Sequence, residues 1–172
     1  MPQRLDQPIE RRTFGVIVED EPGVLARVVG MFSARGYNIE SLTVAHTDRT
    51  ESRSRITIVT SGQPIILEQI QAQLERIVSV HSVIDVSRDP QGLERELALV
   101  KVRSEGAMRI EALRVSEIFR AKVVDTTLQS FIFEITGASD KIDAFIELMR
   151  PLGLVEVSRT GVLSIRRGAA ER

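Results

Sequence analysis

The chain has no cysteine and no tryptophan, one tyrosine and two histidines in 172 residues. Without cysteine there can be no disulfide and no zinc–thiolate site, and the absence is consistent with a cytoplasmic protein. His46 and His81 have no companion at metal-ligand spacing, so each reads as a surface or strand residue. A hydrolase or metalloenzyme could still use Asp and Glu alone, but no spacing gathers them. There is no Gly-rich phosphate loop and no Ser-centred nucleophile elbow. No catalytic residue and no metal ligand is assigned.

Excess charge is also missing. Lys and Arg total 23 against 24 Asp and Glu, a net charge of −1, and the two signs alternate along the chain. A nucleic-acid binder normally carries a basic stripe, so none is expected as a partner. No apolar run approaches the ~20 residues of a membrane span. The opening MPQRLDQPIERR is polar and lacks a signal-peptide core. Residues 1–12 read as a flexible arm and residues 168–172 as a tail.

What is present is one order of elements, twice. Phe14, Val16 and Val18 alternate as in a strand. Asp20-Glu21-Pro22-Gly23 is a turn and helix-start signal. Val24, Leu25, Val28, Val29 and Phe32 then share a helical face, and Gly36 is a left-handed cap. A strand through Leu42 and Val44 and a polar turn from Thr47 to Ser52 lead to a strand carrying Ile56 and Ile58. Pro64 opens a helix with Ile66, Ile70, Leu74 and Ile77 inward. Val83, Ile84 and Val86 mark a fourth strand. Strand, helix, strand, strand, helix, strand folds as an antiparallel sheet with both helices on one face.

After a linker at residues 88–94 the order returns. A strand spans Leu97–Val102, and a helix over Ala107–Ala121 turns Met108, Ala112, Val115 and Phe119 inward. Strands follow at Val123–Leu128 and Phe131–Ile135. A helix over Asp140–Met149 carries Ile142, Phe145, Ile146 and Met149 inward. Leu154–Val157 is a strand, with one more expected at Val162–Ile165. The fold class is α+β: two tandem ferredoxin-like βαββαβ domains, at residues 13–87 and 95–167. Domains this small are near the size where one core is marginal, so a dimer or higher oligomer is expected.

Two places combine the groups that a free amino acid needs. Pro22 sets the backbone for a first helical turn, and Gly23 leaves the backbone open to a ligand. The N–H groups near Gly23, Val24 and Leu25 point out along the helix dipole and suit a carboxylate, while Asp20 could accept from an ammonium. The competing reading is plainer: Asp20 or Glu21 caps the helix and Gly23 fits the turn. The second place is Arg35-Gly36-Tyr37-Asn38-Ile39. Asn38 offers donor and acceptor. Ile39 is out of parity with Leu42 and Val44 and could line an aliphatic pocket; the alternative is a turn-stabilising Asn and a packed Ile. Arg49, Glu51, Arg53 and Arg55 read as a solvated hairpin, and Ser104-Glu105-Gly106 as an ordinary helix start.

The stretch Val18-Glu19-Asp20-Glu21-Pro22-Gly23-Val24-Leu25-Ala26-Arg27-Val28 resembles the opening of an ACT domain, an amino-acid-binding regulatory module. Phe32-Ser33-Ala34-Arg35-Gly36-Tyr37-Asn38-Ile39-Glu40-Ser41-Leu42-Thr43-Val44 is a sharper match, resembling the signature of acetolactate synthase small subunits. Ser54–Val59, Arg95–Val102, Ile118–Ala121, Val124-Asp125 and Arg159–Val162 are similar to that family too, so the resemblance spans about Thr13 to Arg167. It implies a non-catalytic regulatory subunit that activates a separate catalytic large subunit and confers feedback inhibition by valine, leucine or isoleucine. The cofactors, thiamine diphosphate, Mg and FAD, would belong to that partner, with none in this chain. It implies an effector held between paired ACT domains, by Gly23, Val24 and Leu25 of one protomer and Asn38 and Ile39 of the other; Asp20 and Pro22, read from the turn itself, complete the candidate effector-binding set. Some strongly valine-responsive members have Asn where this chain has Asp20. The alternatives are a free-standing ACT-type sensor of another enzyme or of transcription, and a small ferredoxin-like enzyme.

Overall fold

The computed structural model describes residues 8–48, 50 and 52–169. Residues 1–7 of the expected arm, Arg49 and Glu51 of the hairpin, and residues 170–172 of the tail lie outside these. The chain forms two compact units. One runs to Leu93 and takes in the residues from Val162 onward; the other is Glu94–Gly161.

In the first unit β1 (Glu10–Glu19), α1 (Val24–Ala34), β2 (Ser41–Asp48), β3 (Arg53–Gly62), α2 (Pro64–Glu75) and β4 (Val80–Asp85) follow in order. The sheet order is β2-β3-β1-β4, with every neighbouring pair antiparallel. This is the ferredoxin-like arrangement read from the alternation of Phe14, Val16 and Val18, all of them buried against α1 and α2 with Ile56 and Ile58. Such a strand puts its odd positions on the other face of the sheet, and that parity places Gly15, Ile17 and Arg55 there.

Local expectations are corrected where a long-range partner decides. Residues Glu10–Arg12 are not an arm: they pair with Thr60–Gly62. Arg12 is buried, with its guanidinium 3.0 Å from Glu10 and 3.7 Å from Asp85. α1 begins at Val24 with Gly23 as its N-cap residue, so Pro22 precedes the cap instead of opening the helix. Leu25 is exposed, and Met31 takes its place among the buried residues. In α2 the buried stripe is Leu67, Ile70 and Leu74, with Ile66 and Ile77 only partly covered. Gly36 does close α1: its N–H and that of Tyr37 donate to Ser33 and Phe32, satisfying two carbonyls of the last turn.

The second unit repeats the order with β5 (Gly92–Arg103, begun inside the expected linker), α3 (Gly106–Phe119), β6 (Lys122–Thr126), β7 (Ser130–Gly137), α4 (Ser139–Met149) and β8 (Leu154–Arg159). Its sheet runs β6-β7-β5-β8. Ile142, Phe145, Ile146 and Met149 all enter the core. Met108, expected inward, is half exposed. A final strand is β9 (Leu163–Arg166). It belongs to the first unit, not the second as its position in the chain suggested.

Candidate functional site

The turn between β1 and α1 is built by Gly23, whose φ of 90° and ψ of −9° suit a residue without a side chain. No side chain caps α1, and no acidic residue occupies its first turn. The reading in which Asp20 or Glu21 caps the helix is therefore not what forms. The Val24 N–H reaches the Glu21 carbonyl at a long 3.4 Å. A helix start with open N–H groups and an unopposed dipole attracts an anion.

The two carboxylates beside the turn are engaged elsewhere. Asp20 accepts from the Ser54 hydroxyl at 3.2 Å and lies 2.9 Å from His46 Nδ1. Its own N–H donates to the Ser52 carbonyl at 2.7 Å. His46 and Ser54 are partners across β2 and β3, so a histidine that looked solitary holds the most conspicuous acid of the turn. Glu21 accepts from the Ser79 hydroxyl at 2.7 Å and from Arg27 at 3.0 Å. Those contacts, Ser79 first, hold its carboxyl below the usual range. Arg27 also donates to Ser79 at 2.7 Å. Neither His46 nor Ser79 is signalled by a local pattern; His46 arrives from β2 and Ser79 from the turn before β4. His81 likewise sits 2.7 Å from Glu19. A shallow depression beside the turn is lined by Glu21, Arg27, Arg76, Ile77, Val78 and Ser79.

Asn38 is exposed, and its carbonyl accepts from the Thr60 hydroxyl at 2.6 Å. Glu40 N–H then donates to the Val59 carbonyl, which starts the pairing of β2. Ile39, expected out of the core, packs against it. The parity argument failed because the chain is not yet a strand at this residue: β2 begins only at Ser41.

The register shows which of these residues meet. Asp20 is tied to Ser52 and Ser54 at one end of β3, whereas Glu40 is tied to Val59. Five residues of strand separate Ser54 from Val59, or about 17 Å. One protomer therefore brings Asp20, Pro22, Gly23, Val24 and Leu25 together at one end of the sheet and leaves Asn38 and Ile39 at the other. Among the described residues, no three His, Asp or Glu side chains are gathered so that they could hold a metal.

Residues 14–82 match the family model described as an AHAS small subunit-like ACT domain, and residues 95–168 match that of the small subunit of acetolactate synthase. The chain belongs to the acetolactate synthase small-subunit family. Its first unit is the ACT domain. A probable acetolactate synthase small subunit of Archaeoglobus fulgidus is 44% identical over 158 residues, covering 92% of this chain and 98% of that one. The acetolactate synthase small subunit of Haemophilus influenzae is 45% identical over 159 residues, covering 92% and 96%. The crystal structure of the small subunit from Thermotoga maritima superposes with a TM-score of 0.82 at 35% identity, covering 94% of this chain and 99% of that one. No helix among the described residues of this small-subunit chain is long and apolar enough to cross a membrane.

Proposed function

We propose that the chain is the regulatory subunit of a cytoplasmic acetolactate synthase. It binds and activates a catalytic large subunit that carries thiamine diphosphate, Mg and FAD, and it makes that enzyme sensitive to valine or a related branched-chain amino acid. Family membership supports the regulatory role. The observation that supports the sensing mechanism is the separation of the two half-sites by about 17 Å along β3. A free amino acid cannot span that distance, so the helix start at Gly23 and the amide of Asn38 serve one ligand only if they come from two protomers. β2 lies at the edge of the sheet, where a second copy of the strand can pair with it.

In this reading the effector carboxylate meets the N–H groups of Gly23, Val24 and Leu25, and Asn38 of the other protomer supplies donor and acceptor. Asp20 attracts the ammonium but does not reach for it freely, because Ser54 and His46 already position its oxygens. The test is pyruvate turnover by a matched catalytic subunit, measured with and without this chain and across valine concentrations. The chain alone should be inactive, the mixture faster than the catalytic subunit, and valine inhibitory only in the mixture. Turnover by the isolated chain, or a mixture indifferent to it, would sink the proposal.

A further inference from the structure

The segment that carries Asn38 belongs to neither a helix nor a strand: α1 ends at Ala34 and β2 begins at Ser41. What fixes it must come from elsewhere in the first unit. Thr60 of β3 donates to the Asn38 carbonyl at 2.6 Å, and the Glu40 N–H donates to the Val59 carbonyl at 2.8 Å. Arg11 of β1 pairs with the Glu40 carboxylate at 3.3 Å. A fourth tie comes from 121 residues along the chain: the Val162 N–H donates to the Ser41 hydroxyl at 3.0 Å.

Val162 opens the C-terminal segment, where the chain rejoins the first unit. That segment is well anchored. The Val162 side chain is buried. Arg55 Nη1 donates to the Ser164 carbonyl at 2.7 Å, the Arg167 N–H donates to the Gln91 carbonyl at 2.8 Å, and Arg166 lies 2.6 Å from Asp89. Side chains alternate along a strand: Leu42 packs against the core, which leaves Ser41 on the face opposite the helices. The Ser41 hydroxyl therefore accepts from a donor held in place on its own side of the sheet.

The two ends of this bond are unequally held. Val162 is kept by packing and by the bonds that follow it. Ser41 opens an edge strand that pairs with β3 alone in its sheet, and strand ends with few neighbours are the first to open. Without the bond, the end that yields is the one three residues from Asn38. We propose that Ser41 is a positioning residue of the effector site: its bond to Val162 holds the start of β2, so that Asn38 is in place for an effector bound at the other protomer's helix start. This rests on the two-protomer reading above. Ser41 does not touch the effector. It sets the fraction of molecules in which Asn38 is ready, and affinity falls in proportion to that fraction.

The experiment uses the full chain reconstituted with a matched catalytic subunit. In Ser41→Ala the half-inhibitory valine concentration should rise about tenfold, the scale on which one lost hydrogen bond moves an equilibrium, with turnover in the absence of valine kept. Ser41→Thr retains a hydroxyl and suits a strand, and should restore most of the response. Val162→Pro has no N–H to donate, and adding Ser41→Ala to it should move the curve no further. Amide hydrogen exchange at Ile39 and Glu40 should quicken in Ser41→Ala, while that of Val16 and Ile58 in the core should not. If Val162→Pro does not fold, the Ser41 variants decide alone. A wild-type inhibition curve in Ser41→Ala, a Thr variant no better than Ala, or a further tenfold shift in the double variant would each overturn the proposal. If Asn38→Ala loses valine response while Ser41→Ala keeps it, only this proposal falls. A wild-type mixture indifferent to valine, leucine and isoleucine overturns the effector reading itself, and this proposal with it.

Discussion

Replacing Gly23 tests the effector site, provided that two effects are kept apart. The first is conformational. Gly23 has a φ of 90°, a region where an L-residue is strained by about 1–3 kcal/mol. A Cβ there would meet nothing within 4 Å, so strain and not a clash is the whole penalty for Gly23→Ala. The second is electrostatic and belongs to Gly23→Asp. Its carboxylate would stand where the effector carboxylate is proposed to meet the helix start. Two like charges about 4 Å apart repel by roughly 1 kcal/mol in water and roughly 4 kcal/mol at an effective dielectric of 20. The turn is exposed in one protomer and would be covered in the proposed pair, so the repulsion is expected between those limits. Valine affinity should drop by about fivefold to a thousandfold in Gly23→Asp. Gly23→Ala should melt earlier but lose far less affinity. The assay is valine inhibition of the reconstituted enzyme, with thermal melts and binding to the catalytic subunit measured on the same samples. If the Asp and Ala variants lose valine response equally, backbone strain explains the loss and the carboxylate does not sit at Gly23. If both keep the wild-type inhibition curve, the site is elsewhere.

Other expectations rest on different parts of the molecule. Glu96 is buried and takes both Arg159 Nε and Nη2 at 2.7 Å, with Ser139 at 3.0 Å. Arg159→Ala should destabilise the second unit by about 3 kcal/mol, because it strands a buried charge, with Arg159's own partial exposure keeping the figure at the low end. Urea midpoints should show it, and Glu96→Leu added to Arg159→Ala should recover part of the loss. Gly153 has a φ of 98°, and a Cβ there would run into the Arg103 carbonyl. Gly153→Ala should therefore lower stability by at least about 2 kcal/mol in the same unfolding measurement; a neutral effect would contradict the turn geometry. The Glu21 carboxyl is held below its ordinary value of 4.5 by Ser79 and Arg27, so its stabilising contribution is present above that value and fades as pH falls through the lower folded one. Melting curves of wild type and Glu21→Gln should therefore differ at neutral pH and converge in acid. Sedimentation should show valine tightening the dimer, with no such change in Asn38→Ala.

Much of the architecture was legible because it is local. The alternation of Phe14, Val16 and Val18, the helix start at Pro64 and the cap at Gly36 each act within a few residues, and the 142, 145, 146, 149 spacing buried all four side chains of α4. Errors fell where partners are distant. Arg12 looked like part of a solvated arm, yet pairing with β3 buries it beside Asp85. Leu25 and Met108 fit their helical stripes, yet both stand at the first turn of their helices and remain exposed. The polar hairpin hid Arg55, which reaches the carbonyl of Ser164, 109 residues on. The candidate site was read as two fragments, one at Gly23 and one at Asn38. That His46 holds Asp20 was not, since it depends on the register of β2 against β3.

The distance between those fragments has a thermodynamic consequence. A ligand that needs Gly23 from one protomer and Asn38 from another binds only the paired state, so binding and pairing are linked. Linkage is reciprocal: whatever factor valine contributes to dimer affinity, dimerisation contributes to valine affinity. At a ligand concentration of about a hundred times its dissociation constant, one such site stabilises the paired state by about 2.7 kcal/mol, and two equivalent sites by about twice that. That is enough to make a loose pair of ACT domains rigid without any change within either one. An inhibitor acting in this way need not touch the catalytic subunit. It needs only to hold two sheets in one relative position, and a partner bound to both protomers feels the constraint. The Asp20 charge fits the same scheme. Ser54 and His46 hold it beside the helix start, so in the proposed site it would meet the ammonium of a ligand placed by the second protomer's Asn38.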